Sequence, residues 1–253
     1  MPSAEADPVP AMPPGGLAII PVPGIGQVRP GDDLATVLTE ALAPHAPDAP
    51  ALRDGDVVVV TQKIVSKAEG RLVDVDPADP AAKERIVLDE SVRTLRRRGE
   101  LLITETRHGF ICANAGVDLS NVDEGTAALL PVDPDRSARR LRADLGRRLG
   151  VDVGVVVSDT FGRPWRRGVT DVAIGCAGVA AVIDLRGTVD ATGRELLATE
   201  VCVADELAAA AELVMGKDRS VPVAIVRGVP RSWLRQGSVR GEIVRTSGED
   251  LFR

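Results

Sequence analysis

The chain of 253 residues is long enough for one large domain or two small interlocked ones, and 44% of its residues are hydrophobic. Aromatic residues make up 2% of it and tyrosine is absent, so aliphatic side chains must fill the core, and stacking platforms for single-stranded nucleic acid are nearly excluded. A net charge of −6 argues against a general polyanion binder, and we predict no nucleic-acid partner, although a local basic patch for phosphate is compatible with it.

The three cysteines, Cys112, Cys176 and Cys202, lie far apart in apolar stretches. An odd number without a CxxC pair disfavours a disulfide framework or a zinc site, and we interpret them as reduced core residues. Residues 1–16 are acidic and proline-rich, unlike a signal peptide, and predict a disordered lead-in to an ordered domain at residues 17–253. Since no apolar run approaches the roughly 18 residues of a membrane span, we predict a soluble, cytoplasmic protein with no membrane partner.

The first elements in chain order are a strand, a loop and a helix. Residues 17–22 are an apolar strand, and the glycines and prolines after them predict a loop. Asp32 or Asp33 can cap a helix that continues to Leu42. Four consecutive valines at residues 57–60 then indicate a buried strand.

The middle of the chain predicts two helices with a hairpin between them. The charged segment 80–98 indicates one helix with a solvated arginine-rich end. A pair of strands follows, with its turn at His108 and Gly109. An amphipathic helix begins at Pro134, and Gly150 terminates it.

The last third of the chain predicts a strand at residues 153–157, a helix closed by Gly216 and a strand at residues 221–228. The small, apolar segment 168–187 is compatible with either a helix or a strand. Strands and helices alternate without a regular βαβ rhythm, so we predict an irregular α+β fold of mixed sheets with helices, in one unit or two intertwined lobes, and not a barrel.

The common nucleotide fingerprints are incomplete. The segment "GIGQVR" has Arg29 where a Rossmann site needs its third glycine. The segment "MGKDR" contains Gly216 and Lys217 but lacks the upstream glycine and the Ser/Thr of a P-loop. We therefore predict neither a Rossmann nor a P-loop fold, and the absence of a serine-centred nucleophile elbow disfavours serine hydrolase chemistry.

Oxygen-bearing side chains follow two of the strands. Asp159 and Thr160 end one strand, and Asp118 and Asn121 end another. Carboxylates with a hydroxyl or an amide are ligands that Mg²⁺ or Mn²⁺ prefers. An aspartate after a strand is more often a turn former or a helix cap, so the residues alone leave both interpretations open.

Groups suited to anions are present in the same segments. Gly24 and Gly26 would let backbone amides approach a phosphate. Trp165 is interpreted as a packing residue rather than a substrate platform. Four cationic side chains can neutralise phosphate or carboxylate groups: Lys63, Lys67, Arg163 and Arg166.

The segment "SDTFGRPWRRGVTDVAIG" closely resembles the DTxGRxWRxGxTD signature of the coenzyme F420-0:L-glutamate ligase family. The segments "IIPVPGIGQVRPGDDL", "GDVVVVTQKIVSKAEGR", "GVDLSNV" and "VADELAAAAELVMGK" resemble other blocks of the family in the same order. The likeness extends over residues 17–253. It implies a ligase-type fold and an enzyme that uses GTP and divalent metal to attach L-glutamate to coenzyme F420-0, first by an amide and then by a γ-linkage.

The resemblance also implies roles for individual residues. Asp118 and Asp159 match metal-binding aspartates, and Thr160 matches a ligand of a second ion, so two Mg²⁺ or Mn²⁺ ions are expected, with a monovalent cation such as K⁺ as a further possibility. Arg163 and Arg166 are expected to act in catalysis. The positions expected to contact GTP are Gly24, Ile25, Gly26, Gln27, Gln62, Lys67, Asn121, Met215, Gly216 and Lys217. Asp171 could bind metal or hold Arg166, and we favour the structural role.

Two other classes of function remain open at this level. One is a metal-dependent phosphohydrolase or kinase that uses the same acids without ligation. The other is a catalytically silent module that binds the deazaflavin; it stays open because the loop Gly24–Gln27 departs from the family's usual Gly-hydrophobic-Pro-Glu. The small-residue tract 173–181 is compatible with an oligomer interface or with close packing inside the chain, and the resemblance implies a homodimer.

Overall fold

The structure is a computed structural model that describes residues 15–42, 50–246 and 248–250. The predicted disordered lead-in, residues 1–16, lies almost entirely outside this range. Helices and strands both contribute substantially to the described part of the chain, and the strands form several separate sheets.

The strands are, in chain order, β1 (Ala18–Pro21), β2 (Val57–Thr61), β3 (Leu72–Asp74), β4 (Ser91–Arg98), β5 (Leu101–Thr106), β6 (Ile111–Ala113), β7 (Thr126–Ala128), β8 (Gly154–Gly162), β9 (Val169–Ala177), β10 (Ile183–Asp184), β11 (Glu200–Val201) and β12 (Val223–Arg227). The α-helices are α1 (Leu34–Ala41), α2 (Gln62–Ala68), α3 (Ala82–Asp89), α4 (Pro134–Leu149), α5 (Val203–Met215) and α6 (Val239–Glu242).

The core is built on a five-stranded sheet with the order β1-β12-β2-β8-β9. Strands β2 and β8 are parallel, and the other neighbours are antiparallel. The valines 57–60 and 155–157 are completely buried, which is typical of central strands covered on both faces. Helices α4 and α5 both pack against β9, so this sheet forms a rigid support for the side chains at the ends of its strands.

Residues 72–128 leave the central sheet between β2 and β8 and form a second structural unit, which we call the excursion. It contains the antiparallel sheet β4-β5-β6 and the pair β3-β7. A small hydrophobic cluster holds it together, formed by Val87, Leu102, Ala115, Val117 and Ala127 with the adjoining Leu129. The predicted α+β class, with mixed sheets and no barrel, is confirmed.

Several predicted helix boundaries are confirmed by their caps. The carboxylate of Asp33 accepts hydrogen bonds from the backbone of Ala35 and Thr36 at the start of α1. Helix α4 begins with Pro134, and Gly150 adopts φ +69° at its end, a conformation that glycine tolerates without strain.

The prediction of one helix over residues 80–98 is wrong. Helix α3 ends at Asp89, and the rest of the segment is the strand β4, which pairs with β5. Strand β4 has no fully buried side chain, so it lacks the alternation of apolar residues that identifies a strand. Its pairing depends on long-range contacts such as the salt bridge between Arg93 and Glu105, at 2.6 Å, which a local pattern cannot reveal.

The segment that was compatible with a helix or a strand is mainly strand β9, paired with β8 in a long hairpin. Strand β8 therefore continues to Gly162, and Asp159 and Thr160 lie within it rather than after its end, contrary to the prediction. The tract 173–181 is buried inside the chain. A Cβ atom on Gly175 would lie 2.3 Å from the carbonyl carbon of Pro134, so the small residues serve close packing.

The cysteines behave as predicted. Cys112 and Cys176 are buried, Cys202 is partly buried, and all three are free thiols. Burial, together with nearby carboxylates, raises the pKa of each thiol to about 12. Such thiols are poor nucleophiles at neutral pH. Within the described residues, no helix combines the length and apolarity that crossing a bilayer requires.

Candidate active site

The parallel pairing of β2 and β8 brings two functional segments to one edge of the central sheet. Thr61, the last residue of β2, lies opposite Ser158 of β8. Helix α2 begins directly after β2, and β8 carries Asp159 and Thr160 immediately beyond Ser158. Crevices at the carboxyl ends of parallel strands are where sheets of this kind commonly bind ligands.

A network of hydroxyl groups surrounds a buried carboxylate on this edge. Asp171 lies opposite Thr160 in the hairpin and is 2% exposed. Its Oδ1 accepts a hydrogen bond from Thr160 Oγ1 at 2.6 Å, and its Oδ2 accepts one from Ser158 Oγ at 2.9 Å. Lys217 completes the network: its Nζ donates to Thr160 Oγ1 and lies 3.2 Å from both Asp171 Oδ1 and Glu212 Oε1.

These contacts settle how Asp171 is held. Its ion-pair partner within the described residues is Lys217, and no ion pair with Arg166 is formed there. Burial alone would lower the pKa of Lys217, but the charges of Asp171 and Glu212 more than offset it and raise the pKa above the usual lysine value. Lys217 therefore remains an ammonium ion at neutral pH.

Asp159 lies between Ser158 and Thr160 in the sequence, but its side chain has a different environment. Its Oδ1 accepts a hydrogen bond from the backbone amide of Thr160 at 2.8 Å. Burial raises the pKa of Asp159 to about 7, and the negative charges of Asp171 and Asp118 add to this effect. Asp118 reaches the same edge from a separate part of the chain, because it contacts Lys63, which lies two residues after the Thr61 that pairs with Ser158.

Asp118 belongs to a polar turn in the excursion, where its backbone pairs with that of Ala128. Its Oδ2 forms a salt bridge with Lys63 Nζ at 2.8 Å, and its Oδ1 accepts from the backbone amide of Ser120 at 2.7 Å. Burial would raise the pKa of Asp118, but the hydrogen bonds from Lys63 and Ser120 outweigh it and lower the pKa. This carboxylate is therefore ionised at neutral pH.

Lys63 and Lys67 lie one turn apart on α2, on the same side of the helix. While Lys63 contacts Asp118, Lys67 Nζ donates to the backbone oxygen of Asn121 at 2.7 Å, so both lysines reach the same turn. Burial, and then the charge of Lys63, lower the pKa of Lys67. A negatively charged ligand would stabilise the ammonium form and so offset both effects, which makes this pair of lysines a suitable anion site.

The remaining residues predicted to contact a nucleotide fall into two groups. Gly24, Gly26 and Gln27 are exposed in the loop after β1, which is attached to α2 by a hydrogen bond from the Gly31 amide to the Ala68 carbonyl at 3.0 Å. Three other predicted residues are part of the packed interior or of a helix end. Ile25 and Met215 lie in the core, and Gly216 caps α5.

Gln62 is also committed to the protein interior. It is 2% exposed, and its Nε2 donates to Ser66 Oγ at 2.5 Å and to the Leu129 carbonyl at 3.0 Å. These contacts connect α2 to the segment after β7. The side chain of Gln62 therefore fixes the position of α2, and with it the position of Lys63, the next residue.

Arg163 and Arg166 lie at the exposed tip of the β8–β9 hairpin. Within the described residues neither side chain forms an ion pair, so both guanidinium groups are available to anionic ligands. The hairpin is continuous with Asp159 and Thr160. It thus carries acidic groups at its base and basic groups at its tip.

The described residues do not form a ready cage of three or more His, Cys, Asp or Glu side chains for a metal ion. Asp118 and Asp159 nevertheless fit a divalent cation, because both are carboxylates at this edge and Asp159 has no ion-pair partner among the described residues. Mg²⁺ commonly binds through one or two carboxylates, with substrate phosphates and water as the other ligands. Thr160 fits less well, because its hydroxyl already contacts Asp171 and Lys217.

Sequence reasoning missed the central position of Asp171 and did not identify Glu212. The segment "DTFGRPWRRGVTD" did contain a signal, because a two-stranded hairpin places its first residues opposite its last ones. Glu212 gave no such signal, since an acidic residue in the last turn of an amphipathic helix is usually a solvated one.

A surface depression lined by Arg142, Gly146 and Asp152 lies near the amino end of β8, away from Asp159. Two aspartates and two arginines line it, so its charges sum to zero, and Arg142 contacts Asp152 at 2.6 Å and the Val153 carbonyl at 2.8 Å. It lacks the unbalanced charge found at the other end of the strand. The carboxyl edge remains the better candidate for chemistry.

Comparison with known proteins gives matches that extend over most of the chain. A family model described as F420-0:Gamma-glutamyl ligase matches residues 24–228. The coenzyme F420:L-glutamate ligase of Methanothermobacter thermautotrophicus is 42% identical over 94% of this chain and 99% of its own length, and that of Methanopyrus kandleri is 44% identical over 94% and 98%. The ligase of the same name from Methanocaldococcus jannaschii is 40% identical over 80% and 86%.

These findings identify the class of protein as an enzyme, a ligase. More particularly, the chain belongs to the F420-0:gamma-glutamyl ligase family. The resemblance noted in the sequence is confirmed.

Proposed function

We propose that this ligase joins L-glutamate to coenzyme F420-0 in a GTP-dependent reaction, first through an amide and then through a γ-glutamyl linkage, in the biosynthesis of coenzyme F420. The observation that carries the proposal is the family match over residues 24–228, which includes the charged edge of β2 and β8. A phosphohydrolase, a kinase or a silent binding module is disfavoured by the shared name and high coverage of the relatives.

A carboxylate does not react with an amine until one of its oxygens becomes a good leaving group. In the proposed reaction, a carboxylate oxygen of the acceptor attacks the γ-phosphorus of GTP, and GDP leaves. The amine nitrogen of glutamate then attacks the acyl carbon of the resulting acyl phosphate, inorganic phosphate leaves, and the nitrogen loses a proton. Each turnover thus forms one carbon–nitrogen bond and cleaves one phosphoanhydride bond.

Asp118 and Asp159 would hold a divalent cation, Mg²⁺ or Mn²⁺, which when bound neutralises charge on the triphosphate as the phosphoryl group moves. Lys63 and Lys67 bind and orient the anionic groups of the nucleotide from α2. Arg163 and Arg166 offer bidentate contacts to a carboxylate or a phosphate of the substrates from the hairpin tip. Positioning and charge neutralisation are therefore the main contributions of the protein.

Product analysis tests the proposed reaction. The protein is incubated with coenzyme F420-0, L-glutamate, GTP and Mn²⁺, and the acceptor is weighed by mass spectrometry while GDP is measured. We expect the acceptor to gain glutamyl residues, with one GDP for each. GDP formation without a gain of mass would indicate a phosphohydrolase, and binding of the acceptor without nucleotide consumption would indicate a binding module.

Replacing Lys67 with alanine is expected to raise the KM for GTP about tenfold with a smaller change in the turnover number, because a charge-assisted contact to phosphate contributes roughly 1.5 kcal/mol. Steady-state kinetics with varied GTP measures this. The matched control is Lys83→Ala on α3, a lysine that does not belong to the proposed anion site on α2, and it should leave the KM unchanged. An unaltered KM in Lys67→Ala would remove this residue from the nucleotide site.

We further propose that the enzyme acts in the cytoplasm as a homodimer, as the sequence resemblance implies. The intramolecular burial of residues 173–181 excludes that tract as the contact surface. Analytical ultracentrifugation of the purified protein measures the assembly directly, and sedimentation at the mass of one chain would contradict a dimer.

A further inference from the structure

The carboxylates at the carboxyl edge of β8 differ in how their charges are balanced. Asp118 is paired with Lys63, and Asp171 is paired with Lys217. Within the described residues Asp159 has no ion-pair partner. Of these three aspartates, Asp159 is the one without a cationic partner in the described part of the chain, and its position suits an added cation.

The salt bridges of Asp118 and Asp171 differ in how much of the carboxylate is exposed to water. The side chain of Asp118 is 38% exposed, and a salt bridge in contact with water contributes little stability, so Lys63 can be exchanged for another cation at low cost. The side chain of Asp171 is 1% exposed, and both of its oxygens accept hydrogen bonds. The side chain of Lys217 is itself 59% exposed, but removing its charge would leave an uncompensated carboxylate in the interior, which is costly.

The fold itself holds Lys217 at this position. Lys217 directly follows Gly216, which ends α5 with φ +63° and donates its backbone amide to the Glu212 carbonyl at 3.0 Å. The carboxylate of Glu212, one turn earlier, lies 3.2 Å from the same ammonium. Lys217 thus has one acidic partner on its own helix and another on β9.

A divalent cation on the hydroxyl of Thr160 would have to use the oxygen to which Lys217 now donates. If the ammonium stayed nearby, the two cations would repel each other strongly. If it moved away, Asp171 and Glu212 would lose their common partner. The two-ion arrangement expected from the sequence resemblance therefore does not fit the contacts of Thr160.

We propose that the ammonium of Lys217 is a built-in cation at the Thr160–Asp171 pair, and that this enzyme consequently binds one divalent ion, at Asp118 and Asp159, instead of two. The inference rests on the proposed function, since it concerns the ion requirement of the same site. It identifies Lys217 as the residue that determines how many divalent ions bind.

Counting bound manganese tests the inference. Wild-type protein and Lys217→Gln, each with and without a non-hydrolysable GTP analogue, are equilibrated with Mn²⁺, and the bound ion is measured by equilibrium dialysis and electron paramagnetic resonance. We expect about one Mn²⁺ per wild-type chain. Lys217→Gln should bind about two in the presence of the analogue, with a spectrum broadened by coupling between neighbouring ions, because glutamine removes the charge and supplies an oxygen ligand.

Lys217→Arg is the matched control, since it keeps the positive charge and should keep one Mn²⁺. Lys217→Gln leaves Asp171 without its ion-pair partner, so thermal unfolding of both variants is measured first to establish that they are folded. Two Mn²⁺ in the wild type, or one in Lys217→Gln, would overturn the inference.

Glutamate ligation by the same wild-type preparation separates this inference from the proposed function. A wild type that adds glutamate and binds two Mn²⁺ overturns the inference and leaves the proposed function intact. A wild type that binds one Mn²⁺ and adds no glutamate supports the single-ion site and contradicts the proposed function.

Discussion

Replacing Asp159 with asparagine is expected to lower the turnover number for glutamate ligation about 100-fold or more, with a small effect on folding. Asparagine has nearly the same shape as aspartate but no negative charge, so it removes one of the two carboxylates proposed to hold the divalent ion. The rate is measured as glutamyl residues added per minute at saturating GTP and acceptor. Near-wild-type turnover would mean that Asp159 does not hold the ion.

Asp152→Asn is the matched control for this variant. Asp152 precedes the amino end of β8 and its side chain is 81% exposed, so its loss should leave turnover unchanged.

Proton competition gives a second readout of the same prediction. The pKa of Asp159 is raised to about 7, so in the metal-free protein its carboxyl is ionised above that pH and protonated below it. Affinity for Mn²⁺ should therefore decrease as the pH falls through 7, since a proton and the cation compete for the carboxylate. In Asp159→Asn this part of the pH dependence should disappear, and an unchanged profile would assign the titration to another group.

Replacing Asp135 with asparagine is expected to destabilise the whole fold by roughly 2–4 kcal/mol, which lowers the melting temperature by about 5 °C or more. Asp135 is 5% exposed and lies in the first turn of α4. Its Oδ1 accepts from the backbone amides of Cys176 and Val239 at 2.8 and 2.9 Å, and its Oδ2 accepts from Ser238 Oγ and the Arg240 amide at 2.8 and 3.1 Å.

The reason for this large effect is that an amide has only one acceptor oxygen. One half of the asparagine side chain would present N–H groups to donors that now point at a carboxylate, and buried donors without an acceptor are costly. Thermal unfolding followed by circular dichroism gives the result.

Asp133→Asn is the control for Asp135. Asp133 caps the same helix from an exposed position, accepting from the Arg136 amide at 2.8 Å. Asparagine caps helices as well as aspartate does, so this change should cost little stability. Equal melting temperatures for the two variants would show that the four bonds of Asp135 contribute no special stability.

Local signals in the sequence predicted much of the fold, because caps, glycine terminators and buried valine runs act over a few residues. Asp33, Pro134 and Gly150 set the helix ends where their local chemistry requires. Strand β4 was not predictable in this way, because its partner β5 determines its conformation and its side chains face water on both sides. The fourfold role of Asp135 was hidden for the same reason, since its partners lie about 40 and 105 residues away.

The candidate site was predicted in part. The acids and lysines near β2 and β8 were found from residue type and strand position, and the parallel register brings them together. The contacts among Thr160, Asp171 and Lys217 could not be predicted, since they require α5 to end beside the β8–β9 hairpin. Gln62 was expected at a ligand site, yet its side chain is buried because it connects α2 to the Leu129 carbonyl.

The strand β8 is hydrogen-bonded along both of its sides, to β2 and to β9. Asp159 and Thr160 are therefore attached to one of the least deformable parts of the molecule, whereas Asp118 belongs to the excursion. The excursion is joined to this edge through α2, where Lys63 forms its salt bridge with Asp118 and Lys67 donates to the Asn121 carbonyl. The distance between Asp118 and Asp159 therefore depends on how these two side-chain contacts hold the excursion against the sheet.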